Sequence, residues 1–403
     1  MGGRHLFARD VRARASLAPT IHGLHQPLRN MVGARLALAL ANAHSMQILD
    51  AHPIAVLEKT HVIQSEQWML AASSRLFSSK EEASVVRLLI DTDPGIDDAL
   101  ALFLAVASPE VQLEAVTTVS GNVHVDFTTR NALTLLELAG RRDVPVARGS
   151  DRPLVRQAVI ADYVHGHNGL GEVMLPDPQR QPVSSHAVDV IIQKIMEAPG
   201  EITLVAVGPL TNLALAVRRE PRIAQSVREV VIMGGALRVP GNVTPVSEFN
   251  IYADPHAAHI VMHAGWAIRL VSLDVTNHTG MRREQFAALA ASSHPVTQCI
   301  KRMADYHLDE FGKARGIDTF HMHDPLCLAA AFQPDLIDWK PAYVDVELSG
   351  TLTLGATVAY FEKMADIDPA LAHPHRSNVL ASVGVDVDRF IAMYMERIWS
   401  AFS

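Results

Sequence analysis

The 403-residue sequence predicts an α/β chain built on a mostly parallel sheet with flanking helices. Three observations carry that expectation. Apolar residues make up 49% of the chain and charged residues 19%, enough to bury a large core and too apolar for global disorder. The run from Val85 to Ile90 is short, β-branched and nearly continuously apolar, the pattern of a strand buried on both faces. Runs of that kind then alternate with helix-length segments, as in successive βαβ units.

Taken in order, residues 1–83 read as an N-terminal extension and 84–403 as a single domain, because no composition break follows residue 84. The first 80 residues hold nine Lys/Arg against four Asp/Glu, although the whole chain has a net charge of −8. An Arg-rich, acid-poor leader fits either a transit peptide or a disordered or lineage-specific tail. Its apolar run, Leu36 to Ala41, is far below the roughly 18 residues of a membrane span, so no membrane partner is expected. After the strand ending at Ile90, Ala99 to Ala107 reads as a helix, Leu113 to Val119 as a strand and Thr128 to Ala139 as a helix. Val188 to Met196 is helical, Ile202 to Val207 a strand, Leu210 to Val217 a helix and Glu229 to Met233 a strand. Ala257 to Ala264 is helical, and Ile268 to Leu273 and Thr351 to Phe361 read as strands. A helix from Asp388 to Trp399 closes the domain.

Composition also excludes. Acidic residues outnumber basic ones, 43 to 35, which argues against a general nucleic-acid partner. Two cysteines rule out a disulfide scaffold and a zinc ribbon.

The strongest local feature is the turn Asp91-Thr92-Asp93-Pro94-Gly95-Ile96-Asp97-Asp98. It places four carboxylates at the end of an apolar strand, where ligands bind in open α/β sheets. Like charges so close repel, and a hard divalent cation would offset them. Helix capping accounts for Asp97 or Asp98 but not for Asp91 and Asp93. A phosphatase of the haloacid-dehalogenase type also begins with Asp-x-Asp after a strand, and would use magnesium. Pro94-Gly95 and the paired Asp that follow do not suit it, and no Lys or Arg follows the turn before Arg130. Further polar sets recur at later strand ends: Ser120-Gly121-Asn122, Gly208-Pro209-Leu210-Thr211-Asn212, Met233-Gly234-Gly235, Gly241-Asn242-Val243-Thr244-Pro245 and Glu248-Phe249-Asn250. Each alone is ordinary turn chemistry. Together they line one sheet edge with groups suited to sugar hydroxyls.

These motifs, with His323-Asp324-Pro325, resemble the signature of the inosine–uridine-preferring nucleoside hydrolases over about residues 86–400. The resemblance implies a Rossmann-like fold and a bound Ca²⁺ held by Asp93, both oxygens of Asp98, the Val207 carbonyl and Asp324. It implies Ca²⁺-dependent hydrolysis of the N-glycosidic bond of a ribonucleoside substrate, with Asp93 as the base. Asp97, Asn122, Met233, Asn242, Glu248 and Asn250 would contact the nucleoside, the polar ones gripping its ribose hydroxyls. Asp91 would support the site without touching substrate.

For the leaving base, His323 and His165 match family histidines, and their pairing resembles the pyrimidine-leaning branch. Uridine or cytidine is therefore expected, with inosine as a further substrate. His167 and His321 are assigned to the surface or to a supporting layer. Base-contacting residues between Tyr306 and Asp318 do not align with the family pattern, and Asn168 stands where the family often has an acid or a small polar residue. A homo-oligomer, dimer or tetramer, and a cytoplasmic salvage role follow from the resemblance only, with organelle import through the extension as the other possibility. The competing expectation is a non-catalytic nucleoside-binding protein on the same fold.

Overall fold

The computed structural model describes residues 85–361 and 376–403. The extension expected over 1–83 lies outside the described residues. Strand β1 (Val86–Thr92) leads into helix α1 (Ile96–Ala107), β2 (Val111–Thr118) into α2 (Val125–Leu138), and β3 (Val146–Arg148) follows. The short α3 (Asp162–His165) and α4 (Ala187–Glu197) precede β4 (Ile202–Ala206), α5 (Thr211–Arg219) and β5 (Glu229–Met233). Next come α6 (Phe249–Ala253), α7 (Pro255–Met262), β6 (Ile268–Val271), α8 (Leu273–Thr276) and β7 (Gly280–Arg282). Helix α9 (Pro295–Tyr306) runs into a π-helical turn, His307–Gly312, before β8 (Thr319–His321) and α10 (His323–Phe332). Strands β9 (Ile337–Val346), β10 (Thr357–Tyr360) and β11 (Val379–Val385) precede the last helix, α11 (Val387–Phe402).

Among the described residues nine strands form one sheet in the order β10-β9-β11-β6-β5-β4-β1-β2-β3, while β7 and β8 pair separately. From β3 to β11 every neighbour is parallel; β9 runs antiparallel to both β11 and β10. The inner order 3-2-1-4-5-6 is that of a doubly wound dinucleotide-type sheet, and its direction of winding reverses between β1 and β4. A crevice therefore opens at the carboxyl ends of those two strands.

The strands are apolar because both faces are covered. Leu88 and Ile90 pack into one core with α1, α9, α10 and α11, whereas Leu89 packs into the other with α4, α5 and α7. The two-residue period of a strand sends successive side chains to opposite cores. Helix α1 lies beneath the sheet with Ile96 and Ala99 to Ala105 buried, so it is apolar nearly all round.

The predicted α/β class and its alternating elements hold, with ends shifted by a few residues. One element is corrected. The strand expected over Thr351 to Phe361 is a strand only from Thr357 to Tyr360. Residues 351–355 are a turn, tied by Glu347 accepting Ser349 and Gly350 N–H and closed by Gly355 at φ 78°. Strand β9 was not expected, because Asp338, Lys340 and Pro341 interrupt its apolar pattern where it leaves the parallel core. Among the described residues no helix is long and apolar enough to cross a membrane.

Candidate active site

The reversal point between β1 and β4 is where the acidic turn folds. Asp98, at the third position of α1, accepts Gly95 N–H through Oδ2 at 2.9 Å and so caps the helix that carries it. The same oxygen accepts Asn122 Nδ2 at 2.8 Å, while Oδ1 accepts Thr92 Oγ1 and the Asp93 amide. All four acceptor positions of Asp98 are thus engaged by protein, and the bidentate role implied for it competes with those bonds. Asp93 is held through Oδ2 alone, by Asn122 N–H at 2.6 Å, and its Oδ1 is buried without a partner. Asp97 Oδ1 is likewise buried and unpartnered.

Backbone closes tightly around Asp93. A Cβ on Gly121 would sit 2.1 Å from its Oδ2, and one on Gly208 would sit 2.5 Å from its Oδ1. These glycines let the loops after β2 and β4 approach the carboxylate directly.

Asp324, at the start of α10, completes the cluster. Oxygens of Asp97, Asp98 and Asp324 lie within 4.8 Å of one another. Burial and mutual repulsion push Asp93 and Asp324 well above the ordinary carboxylate range, and Asp97 up to about 8. Two buried oxygens without donors and a set of repelling carboxylates match the needs of an oxygen-ligated cation. The residues therefore fit a metal ion.

Asp91 stands near the carboxyl end of β1. It is buried, Thr117 and Asn212 donate to its Oδ1, and burial pushes it up to about 7. Asn212 also ties Thr118 to Ser150, so this asparagine braces strand ends rather than facing a ligand. The polar set after β4 thus supplies Val207 and Gly208 to the site, but not Asn212.

Above the carboxylates is a cavity of about 460 Å³. Asp97, Asn122, His165, Val207, Met233, Asn242, Glu248, Asn250, His323 and Asp324 all line it. Asp93 and Asp98 are fully buried and are not among the lining residues. Asn250 Nδ2 donates to the Val207 carbonyl at 2.9 Å and to the Met233 carbonyl at 3.2 Å, joining the ends of β4 and β5. Glu248 caps α6, accepting Asn250 and Ile251 N–H, and also accepts Gly235 N–H. Asn242 Oδ1 accepts Phe249 N–H.

Burial pushes His165 down to about 3. Burial and the neighbouring His321, His307 and His165 push His323 down to about 3 as well. Both are neutral imidazoles. His165 Nδ1 accepts Ile96 N–H at 3.1 Å, which places its proton on Nε2. His323 Nδ1 meets Thr276 Oγ1 at 2.7 Å. His167 is exposed and pairs with Asp162, whereas His321, assigned to the surface or a supporting layer, lines the cavity.

The far wall comes from the segment between Tyr306 and Asp318, expected to supply base contacts, although none of its residues was singled out. His307, Phe311 and Arg315 line the cavity from the π-helical turn and the residues after it, with the Arg315 guanidinium 3.8 Å over the Phe311 ring. Their spacing of four was a readable helical stripe. A π-helical turn is itself a frequent mark of function.

Comparison with known proteins agrees with this geometry. The profile of the family "Inosine-uridine preferring nucleoside hydrolase" matches residues 88–392. A probable uridine nucleosidase 2 of Arabidopsis thaliana is 40% identical over 314 residues, covering 77% of this chain and 97% of the relative. An inosine-uridine preferring nucleoside hydrolase of Crithidia fasciculata is 38% identical over 325 residues, with the same two coverages, 77% and 97%. A solved plant nucleoside hydrolase superposes with a TM-score of 0.74 at 38% identity, covering 78% of this chain and 99% of that one. With its acidic turn at the reversal point of the sheet and a match spanning most of its length, the chain belongs to the inosine-uridine preferring nucleoside hydrolase family.

Proposed function

We propose that this enzyme hydrolyses the N-glycosidic bond of ribonucleosides to free base and ribose, with Ca²⁺ as its metal and uridine or cytidine preferred over inosine. The observation that carries the reading is the pair of buried, unpartnered carboxylate oxygens, Asp97 Oδ1 on a residue that lines a cavity rimmed by Asn and Glu side chains, and Asp93 Oδ1 buried behind that lining. Asp93, Asp98, Asp324 and the Val207 carbonyl would hold the cation; their all-oxygen chemistry suits Ca²⁺ better than a soft metal. When bound, the ion supplies positive charge that keeps the carboxylates ionised and lowers the proton affinity of the attacking water.

The residues then divide the reaction. Asp93 uses Oδ1, the oxygen Asn122 leaves free, to accept the proton of the water. Asp97 Oδ1 lacks a donor, and a ribose hydroxyl supplies one. Asn122, Asn242, Glu248 and Asn250 hold the remaining hydroxyls, and Met233 packs beside the sugar. The carboxylates stabilise the positive charge that develops on the ribosyl ring as the bond breaks. At the base end, His165 and His323 act as neutral N–H donors to the departing base. The relatives' names point the same way: the Arabidopsis protein is named for uridine, the Crithidia protein for inosine and uridine.

The test is release of base and ribose from uridine, cytidine, inosine and 2′-deoxyuridine, before and after prolonged chelation and after Ca²⁺ is restored. Uridine and cytidine should be cleaved fastest, 2′-deoxyuridine far more slowly, and chelation should abolish activity reversibly. A folded, calcium-replete protein that releases base from none of them, yet binds uridine, would overturn the reading in favour of a binding protein.

A further inference from the structure

A second cluster of metal-ligating side chains lies outside the cavity, where α7 packs on β9. His259 and His263 stand four residues apart at the end of α7, on one helical face, and Asp345 stands on β9. The apolar face of the same helix, Ala257, Ala258 and Val261, is buried in the core, so the histidines project from the other side. His259 Nδ1 is 2.7 Å from Asp345 Oδ1, and His263 Nε2 is 3.8 Å from Asp345 Oδ2. One donor atom from each residue lies within 4.8 Å of the other two.

The arrangement has more order than a chance surface group. His263 Nδ1 is 2.9 Å from the His259 carbonyl, which can only accept, so Nδ1 donates and Nε2 is the ring nitrogen turned toward Asp345 and Tyr343. Metal-binding histidines are commonly oriented by such a bond to a carbonyl. Tyr343, also on β9, places its hydroxyl 3.2 Å from both His263 Nε2 and Asp345 Oδ2. The side chains of His259, His263 and Asp345 are 39%, 32% and 35% exposed, open to an ion yet partly ordered by packing.

We propose that His259, His263 and Asp345 form a second metal site, selective for a borderline transition ion of the Zn²⁺ type. Two imidazoles and one carboxylate form a common tetrahedral donor set, with the fourth position left for water. The ion replaces the hydrogen bond between His259 Nδ1 and Asp345 Oδ1, the displaced proton leaving to solvent. The all-oxygen cluster in the cavity has the opposite preference, so one chain sorts two metals by donor chemistry. Bound there, the ion joins α7 to β9 at the outer part of the sheet. It stabilises the fold without touching the reacting atoms.

The experiment titrates Zn²⁺ by calorimetry, and Co²⁺ by visible absorption, into the Ca²⁺-saturated full chain. Wild type should bind one Zn²⁺ equivalent beyond calcium and give the intense visible bands of tetrahedral Co²⁺. His263→Ala and Asp345→Asn should each weaken that binding by roughly 10- to 100-fold or more, while calcium-supported activity stays unchanged. Zn²⁺ should raise the melting temperature of wild type only. Zn²⁺ binding of the same stoichiometry and affinity in wild type and in the His263→Ala/Asp345→Asn double variant would overturn the proposal. The substituted side chains are part-exposed, so the variants are expected to fold; His263→Gln provides a second, smaller change.

Discussion

At the amino end of β1, Arg87 reaches Glu114 on β2 at 2.7 Å and Glu201 beside β4, and Lys194 reaches the second oxygen of Glu114. Nearby, Arg397 on α11 holds Glu110, just before β2, with both terminal guanidinium nitrogens. At the carboxyl end of the same strand, Asp91 and Asp93 are buried with one oxygen each unpartnered. The pKa directions follow. Arg87 holds the Glu114 carboxyl below its ordinary range, whereas burial pushes Asp91 and Asp93 up. One strand thus has paired charge where it only needs to be stable and unpaired charge where a ligand is to bind. Groups left unsatisfied in a folded protein reduce its stability, and they persist at a site because the ligand completes them.

The largest test of that contrast is Asp93→Asn. It removes the free base oxygen but keeps an acceptor for Asn122 N–H. We expect a loss of about 10²- to 10⁴-fold in kcat/KM for every nucleoside. In calcium-free protein it should also raise the melting temperature, because one of the repelling carboxylates is gone. Activity near wild type, or a lower melting temperature without calcium, would break the comparison.

A smaller effect is expected at the base end of the cavity. Phe311→Ala removes an aromatic wall worth about 0.5 to 1.5 kcal/mol, or a few-fold to tenfold in kcat/KM. Unlike Asp93→Asn, it should change the ratio of uridine to inosine turnover. Equal losses on both nucleosides would show that this wall does not read the base.

The same division explains what the sequence made legible. The acidic turn and Asn122 lie close after strand ends, so strand periodicity alone is enough to place them at one edge of the sheet, whereas Glu248-Phe249-Asn250 lies well beyond the end of β5 and was reached through its motif. Asp324 was reachable only through resemblance, since a residue so distant in sequence is brought in by the packing of α10 under the sheet. His307 and Phe311 were not singled out, although their spacing of four is helical, because their charged neighbours Asp309, Glu310 and Lys313 read as a solvated surface. The neutrality of His165 and His323 was also invisible, because it comes from burial and from neighbours distant in sequence. Strand β9 was masked by its own proline and charges.

At the paired end, Glu110→Gln should affect stability and leave turnover alone. The Glu110 carboxyl is lowered from its ordinary 4.5, burial being outweighed by Arg397 and other hydrogen bonds. A depressed folded-state pKa contributes stability above 4.5 that is lost as pH falls through the folded value. The variant should therefore melt below wild type near neutrality, with the gap closing in acid. A gap of constant size across that range would mean that packing, not charge, is what Glu110 supplies. The pair is part-buried, its side chains 20% and 13% exposed, and its loss should cost about 1 kcal/mol.

The smallest expected effect separates the strand from what precedes it. The family match begins at residue 88 and the first strand at Val86, while the Arabidopsis relative aligns over 97% of its own length without needing the rest. A chain beginning at residue 83 keeps Arg87 with its partners at one end and the acidic turn at the other. It should melt and turn over like the full chain. A chain beginning at residue 89 loses Val86, Arg87 and Leu88, and with them both the paired end and two apolar residues of the core. It should be markedly less stable while every residue of the acidic turn is still present. If the first truncation behaved like the second, the stabilising end of the molecule would extend into residues 1–82, and Arg87 would no longer mark where it starts.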